Sequence, residues 1–136
     1  VSTAAVIAMR PKVLILDEPT AGLDWRAAHE LLDRIAGLHA EGHTILFVSH
    51  DTQLVAEYCP ETLVMHEGQV LAYGLTTQVM GQLAVLQRAQ LTPPQVTQLA
   101  RRLADCGLPD CLTVEQFCAA YRQLRGAFSS DKETSS

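Results

Sequence analysis

Two adjacent carboxylates, Asp17 and Glu18, follow directly after four apolar residues at positions 13–16. The apolar run predicts a short buried strand, and in open α/β sheets ligands bind at the carboxyl ends of such strands. A carboxylate at that position can hold Mg²⁺ on the phosphates of a nucleotide, and a second carboxylate can act on a water molecule. Pro19 ends the strand, and Gly22 permits a tight turn before the next helix. The spacing therefore predicts phosphate chemistry at a strand end.

A second apolar run, Thr44–Val48, ends in Ser49, His50 and Asp51. Together with residues 16–24, this segment resembles two motifs of the ATP-binding cassette (ABC) ATPases, the Walker B segment with its D-loop and the H-loop. The resemblance implies that strands 13–16 and 44–48 pair in parallel. A structural alternative is a buried strand with solvated carboxylates at its end, but two such segments in this order favour the ABC resemblance.

The resemblance implies a role for each charged residue. Asp17 is expected to hold Mg²⁺, Glu18 to polarise the attacking water as a general base, and His50 to contact the γ-phosphate of ATP. A neutral imidazole donates one hydrogen bond and accepts another, so His50 could also keep Glu18 and the water in line. In this family two subunits enclose two ATP molecules, and residues 21–24 would be the D-loop that crosses to the opposite subunit, with Asp24 ordering it. The implied cofactors are ATP and Mg²⁺, with Asp17 and Asp24 as binding residues.

Two other motifs of the family are absent from the 136 residues. A phosphate-binding loop has the pattern G-x-x-x-x-G-K-[ST] between a strand and a helix. Its nearest match, residues 37–44, carries His43 in place of the lysine and is expected to lead from a helix into a strand. The Leu-Ser-Gly-Gly-Gln signature is missing as well. We therefore expect the chain to be the C-terminal part of an ABC ATPase that, alone, neither holds ATP tightly nor hydrolyses it.

Composition and charge argue against several other classes of protein. The net charge is −5 and no basic cluster is present, so nucleic acid is not an expected partner. The longest apolar runs, of four to six residues, are far shorter than a membrane span. The cysteines match neither a paired zinc site nor a dense disulfide framework and are expected to be reduced thiols: Cys59, Cys106, Cys111 and Cys118.

The order of the predicted elements gives an α/β fold class. The ABC resemblance implies the C-terminal part of a P-loop NTPase (ABC) domain with parallel core strands, followed by a small helical extension. We expect the ABC part over residues 1–90, the extension over 91–126 and a disordered tail over 127–136. In the ABC part, residues 2–9 are expected to end a helix, and strand 44–48 is expected to be covered on both faces.

Further along the ABC part, the pattern predicts a short helix over Thr52–Tyr58 and a β-hairpin that turns at Glu67 and Gly68. A helix is predicted over residues 76–89.

The extension contains two capping boxes, at residues 92–95 and 113–116, which predict two amphipathic helices that end at Gly107 and Gly126. The order of its segments resembles the C-terminal extension of energy-coupling factor (ECF) ATPases, including those of cobalt and nickel importers. The segments concerned are residues 91–100, 107–109 and 112–115. An ordinary helical hairpin is the alternative interpretation.

The ECF resemblance implies that the whole protein is the ATP-binding subunit of an importer, hydrolysing ATP to drive uptake of a micronutrient such as cobalt, nickel or a vitamin. Its partners would be a second ABC ATPase subunit, identical or not, a transmembrane coupling subunit and a substrate-binding membrane subunit. It would lie at the cytoplasmic face of the cell membrane. Two alternatives remain, a soluble ABC ATPase of DNA repair or chromosome maintenance, and a catalytically inactive remnant that acts as a dimerisation module.

Overall fold

The computed structural model describes residues 11–130, with side chains to residue 125. The chain divides into two compact units, Val1–His50 and Asp51–Ser136. The boundary between these units lies at residues 50 and 51, whereas the sequence predicts a domain boundary after residue 90. The predicted boundary therefore stays a prediction. The helix end predicted at residues 2–9 lies outside the described residues.

The first unit contains strand β1 (Val13–Asp17), helix α1 (Trp25–Ala40) and strand β2 (Thr44–Val48). The strands pair in parallel, from Val13 opposite Thr44 to Asp17 opposite Val48, as predicted. Parallel neighbours need a long crossover connection, and α1 supplies it. The pairing brings the carboxyl ends of both strands to the same edge of the sheet.

Burial alternates along both strands of this sheet. Leu14 and Leu16 are buried, and α1 packs against β2. The buried residues of α1 recur at helical spacing: Ala28, Leu32 and Ile35. The side chains of the opposite sheet face are exposed: Val13, Ile15, Leu46 and Val48. The expectation that β2 is covered on both faces is therefore wrong for the described part of the chain, in which α1 covers one face.

The second unit begins with helix α2 (Thr52–Tyr58), followed by a hairpin of strands β3 (Glu61–His66) and β4 (Gln69–Leu75). Both elements lie where the sequence predicts them. Glu67 and Gly68 form the two-residue turn with φ values of +47° and +74°. Two successive left-handed residues are what a type I′ turn requires, and its twist matches that of the flanking strands.

Within the described residues, four helices follow the hairpin: α3 (Thr76–Met80), α4 (Leu83–Arg88), α5 (Gln95–Arg102) and α6 (Val114–Ser130). The single helix predicted over residues 76–89 is wrong, because the chain leaves the helical path at Gly81 and Gln82. Glycine loses more conformational freedom in a helix than any other residue, which favours a break there.

The two predicted capping boxes have different outcomes. The box at Thr92 is wrong, because α5 begins only at Gln95 and no side chain caps it. A residue that precedes proline is disfavoured in the helical region, so two successive prolines delay the helix. The Thr92 carbonyl instead accepts a hydrogen bond from Thr52 Oγ1 at 2.6 Å. At Thr113 the N-cap half of the box is confirmed, with the Thr113 hydroxyl accepting from the Gln116 N–H at 3.3 Å. The Gln116 side chain accepts from the Leu112 N–H at 2.8 Å, one residue before the position that the box predicts.

The ends of α5 and α6 also differ from expectation. Helix α5 stops at Arg102, and a 3₁₀ turn over Ala104–Cys106 leads to Gly107, which has φ +86°. Helix α6 runs through Gly126, its predicted end, to Ser130, so the disordered tail predicted from residue 127 is wrong for residues 127–130. An internal glycine costs a helix about 1 kcal/mol relative to alanine, and this cost alone does not end a long helix.

The core of the extension is a small apolar cluster formed by α5, α6 and the loop between them: Ala100, Leu108 and Cys111, with Leu103, Phe117, Ala120 and Leu124 packed against it. The buried Thr97 hydroxyl donates to the Cys111 carbonyl at 2.7 Å, so this buried polar group is satisfied. Burial raises the pKa of the Cys111 thiol, and the charge of Asp110 raises it further.

A guanidinium joins the extension to the preceding helices of the second unit. Arg101 Nη2 donates to the Gly81 carbonyl at 2.9 Å, and the same side chain makes a bidentate contact with Asp110 at 3.1 and 3.2 Å. The extension is therefore fixed to the break between α3 and α4.

No helix in the described part of the chain is both long enough and apolar enough to cross a membrane.

We predict that Leu86→Ala destabilises the chain by about 2–5 kcal/mol, because Leu86 is fully buried and its truncation leaves a cavity. Leu83→Ala on the same helix is the matched control, since Leu83 is 42 % exposed, and we expect it to cost no more than about 1 kcal/mol. Urea unfolding of both variants measures the two costs. Equal losses would contradict the assignment of Leu86 to the core.

Candidate functional site

The site is built where the carboxyl ends of β1 and β2 meet. The parallel ladder continues past the strands, with the Glu18 N–H donating to the Val48 carbonyl at 2.9 Å. The next bond of such a ladder would run from the His50 N–H to the Glu18 carbonyl. Here the His50 N–H donates to the side-chain oxygen Oε1 of Glu18 at 3.0 Å. The Glu18 carboxylate therefore takes the place of its own backbone carbonyl.

The backbone of Glu18 explains this substitution. Its φ of +43° is left-handed, which is uncommon for a residue with a side chain. The Glu18 carbonyl points into the following turn, where it accepts a hydrogen bond from the Ala21 N–H at 3.1 Å. Gly22 completes the turn with φ +75°. Strained conformations of this kind occur at functional sites, where the surrounding structure holds them.

Three donors hold the Glu18 carboxylate. Oε1 accepts from the His50 N–H and lies 2.7 Å from His50 Nδ1, and Oε2 accepts from the Ser49 hydroxyl at 3.3 Å. An ionised carboxylate can only accept, so Nδ1 carries the hydrogen of this contact. The Glu18 side chain is 35 % exposed and that of His50 is 82 % exposed. The arrangement presents an ionised, oriented carboxylate at an accessible strand end.

The environment changes the acidity of Glu18. Burial alone raises its pKa, but the hydrogen bonds from the side chain and backbone of His50, the attraction of His50 and the Ser49 hydroxyl outweigh burial. The net effect lowers the pKa of Glu18 from its ordinary value of 4.5. The carboxylate is therefore ionised at neutral pH and able to accept a proton. A lower pKa also makes it a weaker base, so orientation must supply part of any catalytic effect.

The remaining predicted residues, Asp17 and Asp24, stand on either side of the same turn. Asp17 is the last residue of β1, stands opposite Val48 and is exposed. Asp24 caps α1, with its carboxylate accepting from the Ala27 N–H at 2.8 Å. Glu18 and His50 are thus in direct contact, Asp17 lies at the same strand end, and Asp24 orders the end of the turn. Their catalytic and binding roles stay predictions.

Ser49 is the residue whose contact was not predicted. From the sequence it is only the residue after the second apolar run, but its hydroxyl donates to Glu18 Oε2 at 3.3 Å. The contact follows from the strand register, because pairing Asp17 with Val48 places Ser49 opposite Glu18. Among residues 11–130, no group of three or more His, Cys, Asp or Glu side chains is placed to hold a metal ion.

Comparison with known proteins identifies relatives with named functions. The ATP-binding protein EcfA2 of an energy-coupling factor transporter from Symbiobacterium thermophilum is 42 % identical over 97 % of this chain and 47 % of its own length. The chain is a homologue of ECF transporter ATP-binding proteins. An EcfA2 from Streptococcus pyogenes serotype M5 is also 42 % identical, over 80 % of this chain and 39 % of its own length. No protein-family model matches the sequence.

A solved structure resembles this chain in fold. It is cbiO1 from Clostridium perfringens, described as part of the ABC transporter complex cbiONQ, with a TM-score of 0.54 and 38 % identity over 72 % of this chain and 39 % of cbiO1. The match confirms the α/β fold class and the ABC resemblance. This chain spans about half the length, or less, of the curated relatives it matches.

We predict that the Glu18 contacts stabilise the chain in a pH-dependent way. Because folding lowers the pKa of Glu18, its contribution is fully present above its ordinary value of 4.5 and is lost as the pH falls through the folded-state pKa. Urea unfolding of the wild type and Glu18→Gln, between about pH 3 and pH 7, should show a stability difference that shrinks toward acid. Ser49→Ala, which removes one of the donors, should weaken this trend. A difference independent of pH would contradict the prediction.

Proposed function

We propose that the chain forms the C-terminal part of the ATP-binding subunit of an ABC importer of the ECF type, which hydrolyses ATP to drive uptake of a micronutrient such as cobalt, nickel or a vitamin. The observation that carries the proposal is the Glu18 carboxylate, held by Ser49 and His50 at the ends of two parallel strands. The 42 % identity to EcfA2 proteins supports the choice of the ECF type.

In this proposal Glu18 is the general base. Its ionised carboxylate polarises the attacking water and accepts a proton from it as the water oxygen bonds to the γ-phosphorus. The bond between that phosphorus and the bridging oxygen breaks, and ADP leaves. His50 contacts the γ-phosphate. Because Nδ1 donates to Glu18, a neutral ring presents an acceptor at Nε2, and phosphate oxygens are acceptors as well. Contact with the phosphate therefore requires either a protonated His50 ring or one that has turned away from Glu18.

Asp17 is suited to bind Mg²⁺. It offers an exposed carboxylate beside the base, and Mg²⁺ in nucleotide sites is held by one or two carboxylates together with water and substrate phosphates. The absence of a larger ligand cluster among the described residues is compatible with such a site. When bound, Mg²⁺ would neutralise charge that develops on the phosphates. Asp24 would order the turn over residues 21–24 toward the second subunit.

The partners proposed for the full-length protein are a second ABC ATPase subunit, a transmembrane coupling subunit and a substrate-binding membrane subunit, with the ATPase at the cytoplasmic face of the cell membrane. The description of cbiO1 as part of a transporter complex supports this assembly. ATP binding would depend on a phosphate-binding loop, whose pattern the 136 residues do not contain.

We predict that Glu18→Gln in the full-length protein lowers kcat for ATP hydrolysis by ~10²–10⁴ while ATP still binds, because the amide keeps the shape of the side chain but cannot take a proton. Steady-state phosphate release and equilibrium binding of ATP measure the two effects. Glu41→Gln, which removes an exposed carboxylate beyond the end of α1, is the control. The 136-residue chain alone should release no phosphate. Unchanged kcat in Glu18→Gln would overturn the proposed function.

We predict that residues 91–126 strengthen the nucleotide-free dimer, so that removing everything after Ala89 from the full-length protein weakens it. Because Arg101 also contacts Gly81, truncation could disturb the preceding helices, and a point variant separates the two effects. Leu99→Glu places a charge on the exposed face of α5, where Leu99 is 46 % exposed. Sedimentation velocity should show more monomer for both variants. An unchanged dimer would remove the extension from the proposed interface.

A further inference from the structure

We propose that Ser49 is a positioning residue that fixes the orientation of the Glu18 carboxylate during ATP hydrolysis. The inference rests on the proposed ATPase function and adds a residue to which no role in that function has been assigned. It starts from the hydrogen bond between the Ser49 hydroxyl and Glu18 Oε2, at 3.3 Å.

The strand register places Ser49 for this contact. Asp17 stands opposite Val48, and the Glu18 N–H donates to the Val48 carbonyl, so the ladder continues by one residue and sets Ser49 opposite Glu18. Side chains of residues that stand opposite each other lie on the same face of a sheet. A short hydroxyl at this position therefore reaches the carboxylate, and its location is fixed by the backbone pairing.

The Ser49 contact adds a donor at Oε2, the carboxylate oxygen that the two His50 contacts do not reach. Both contacts from His50, through its backbone N–H and through Nδ1, go to the same oxygen, Oε1. A carboxylate held at one oxygen still has a broad torsion about the bond that carries it. A donor at Oε2 restricts that rotation, so Ser49 and His50 together define the plane of the carboxylate.

The plane of the carboxylate matters for a base that is partly exposed and takes a proton from water. Proton transfer from water needs a lone pair aimed along the line of approach, and small misplacements of a catalytic group are costly in rate. Orientation acts on the chemical step and not on the binding of the nucleotide. Loss of the Ser49 hydroxyl should therefore lower kcat and leave KM for ATP almost unchanged.

The test compares Ser49→Ala and Ser49→Thr in the full-length ATPase. We expect Ser49→Ala to lower kcat by about three- to tenfold, the effect of losing one hydrogen bond of ordinary strength, with KM for ATP within about twofold of the wild type. Ser49→Thr keeps the hydroxyl on a residue that suits a strand end, and it should restore kcat to within about twofold. Thr44→Ala, which removes an exposed hydroxyl at the other end of β2, is the matched control.

The outcomes separate this inference from the proposed function. An inactive wild type, or an active Glu18→Gln variant, would overturn the function itself. An active wild type with an inactive Glu18→Gln variant, but with kcat of Ser49→Ala unchanged, would overturn only the role of Ser49. A raised KM at unchanged kcat, or a loss of kcat that Ser49→Thr does not restore, would also overturn it, because hydroxyl positioning predicts neither result. A kcat loss limited to Ser49→Ala and restored by Ser49→Thr supports it.

Discussion

The parallel pairing of β1 with β2 determines how the side chains of Glu18, Ser49 and His50 lie relative to one another. Because successive residues of a strand point to opposite faces, a slip of one residue would carry the Ser49 side chain away from Glu18 and would break the contact between the Glu18 N–H and the Val48 carbonyl. The apolar residues on the buried face favour this register, since a slip of one residue would carry Leu14 and Leu16 to the exposed face. The packing of the first unit and the geometry of its polar edge are therefore set by the same constraint.

The exchange of a backbone acceptor for a side-chain acceptor at Glu18 has two physical consequences. It allows β1 to end abruptly, because the left-handed residue turns the chain away while the His50 N–H still finds an acceptor. It also places a charge among three donors, which keeps the carboxylate ionised and lowers its strength as a base. A base of this kind gains more from exact orientation than from basicity, which explains why its neighbours matter.

The sequence predicted the elements that depend on local chemistry. Apolar runs bounded by turn residues located both parallel strands, and Glu67 with Gly68 marks the hairpin turn. The pair of carboxylates and the H-loop histidine were also recognisable, because their types and order are specific. Their contact needs two segments more than thirty residues apart, and it followed from the family resemblance.

The predictions that proved wrong concern residues whose effect on the chain depends on the structure around them. Gly81 ends a helix and Gly126 does not, although both are glycines within helical patterns. The second of two prolines shifted the start of α5, which a capping pattern at Thr92 alone does not reveal. The contact of Ser49 depends on strand register, and register is visible only once the pairing of the two strands is known.

The burial of Cys111 has a chemical consequence for the extension. Its thiol donates to the Pro109 carbonyl at 3.3 Å, and its raised pKa keeps it protonated, so it reacts slowly with electrophiles and oxidants, which attack thiolates. Cys106 is exposed on the neighbouring 3₁₀ turn. A fluorescent maleimide would therefore meet an accessible thiol at Cys106 before the one at Cys111. The fold thus offers a natural attachment point for a reporter beside the extension core, while the sulfur inside that core stays unmodified.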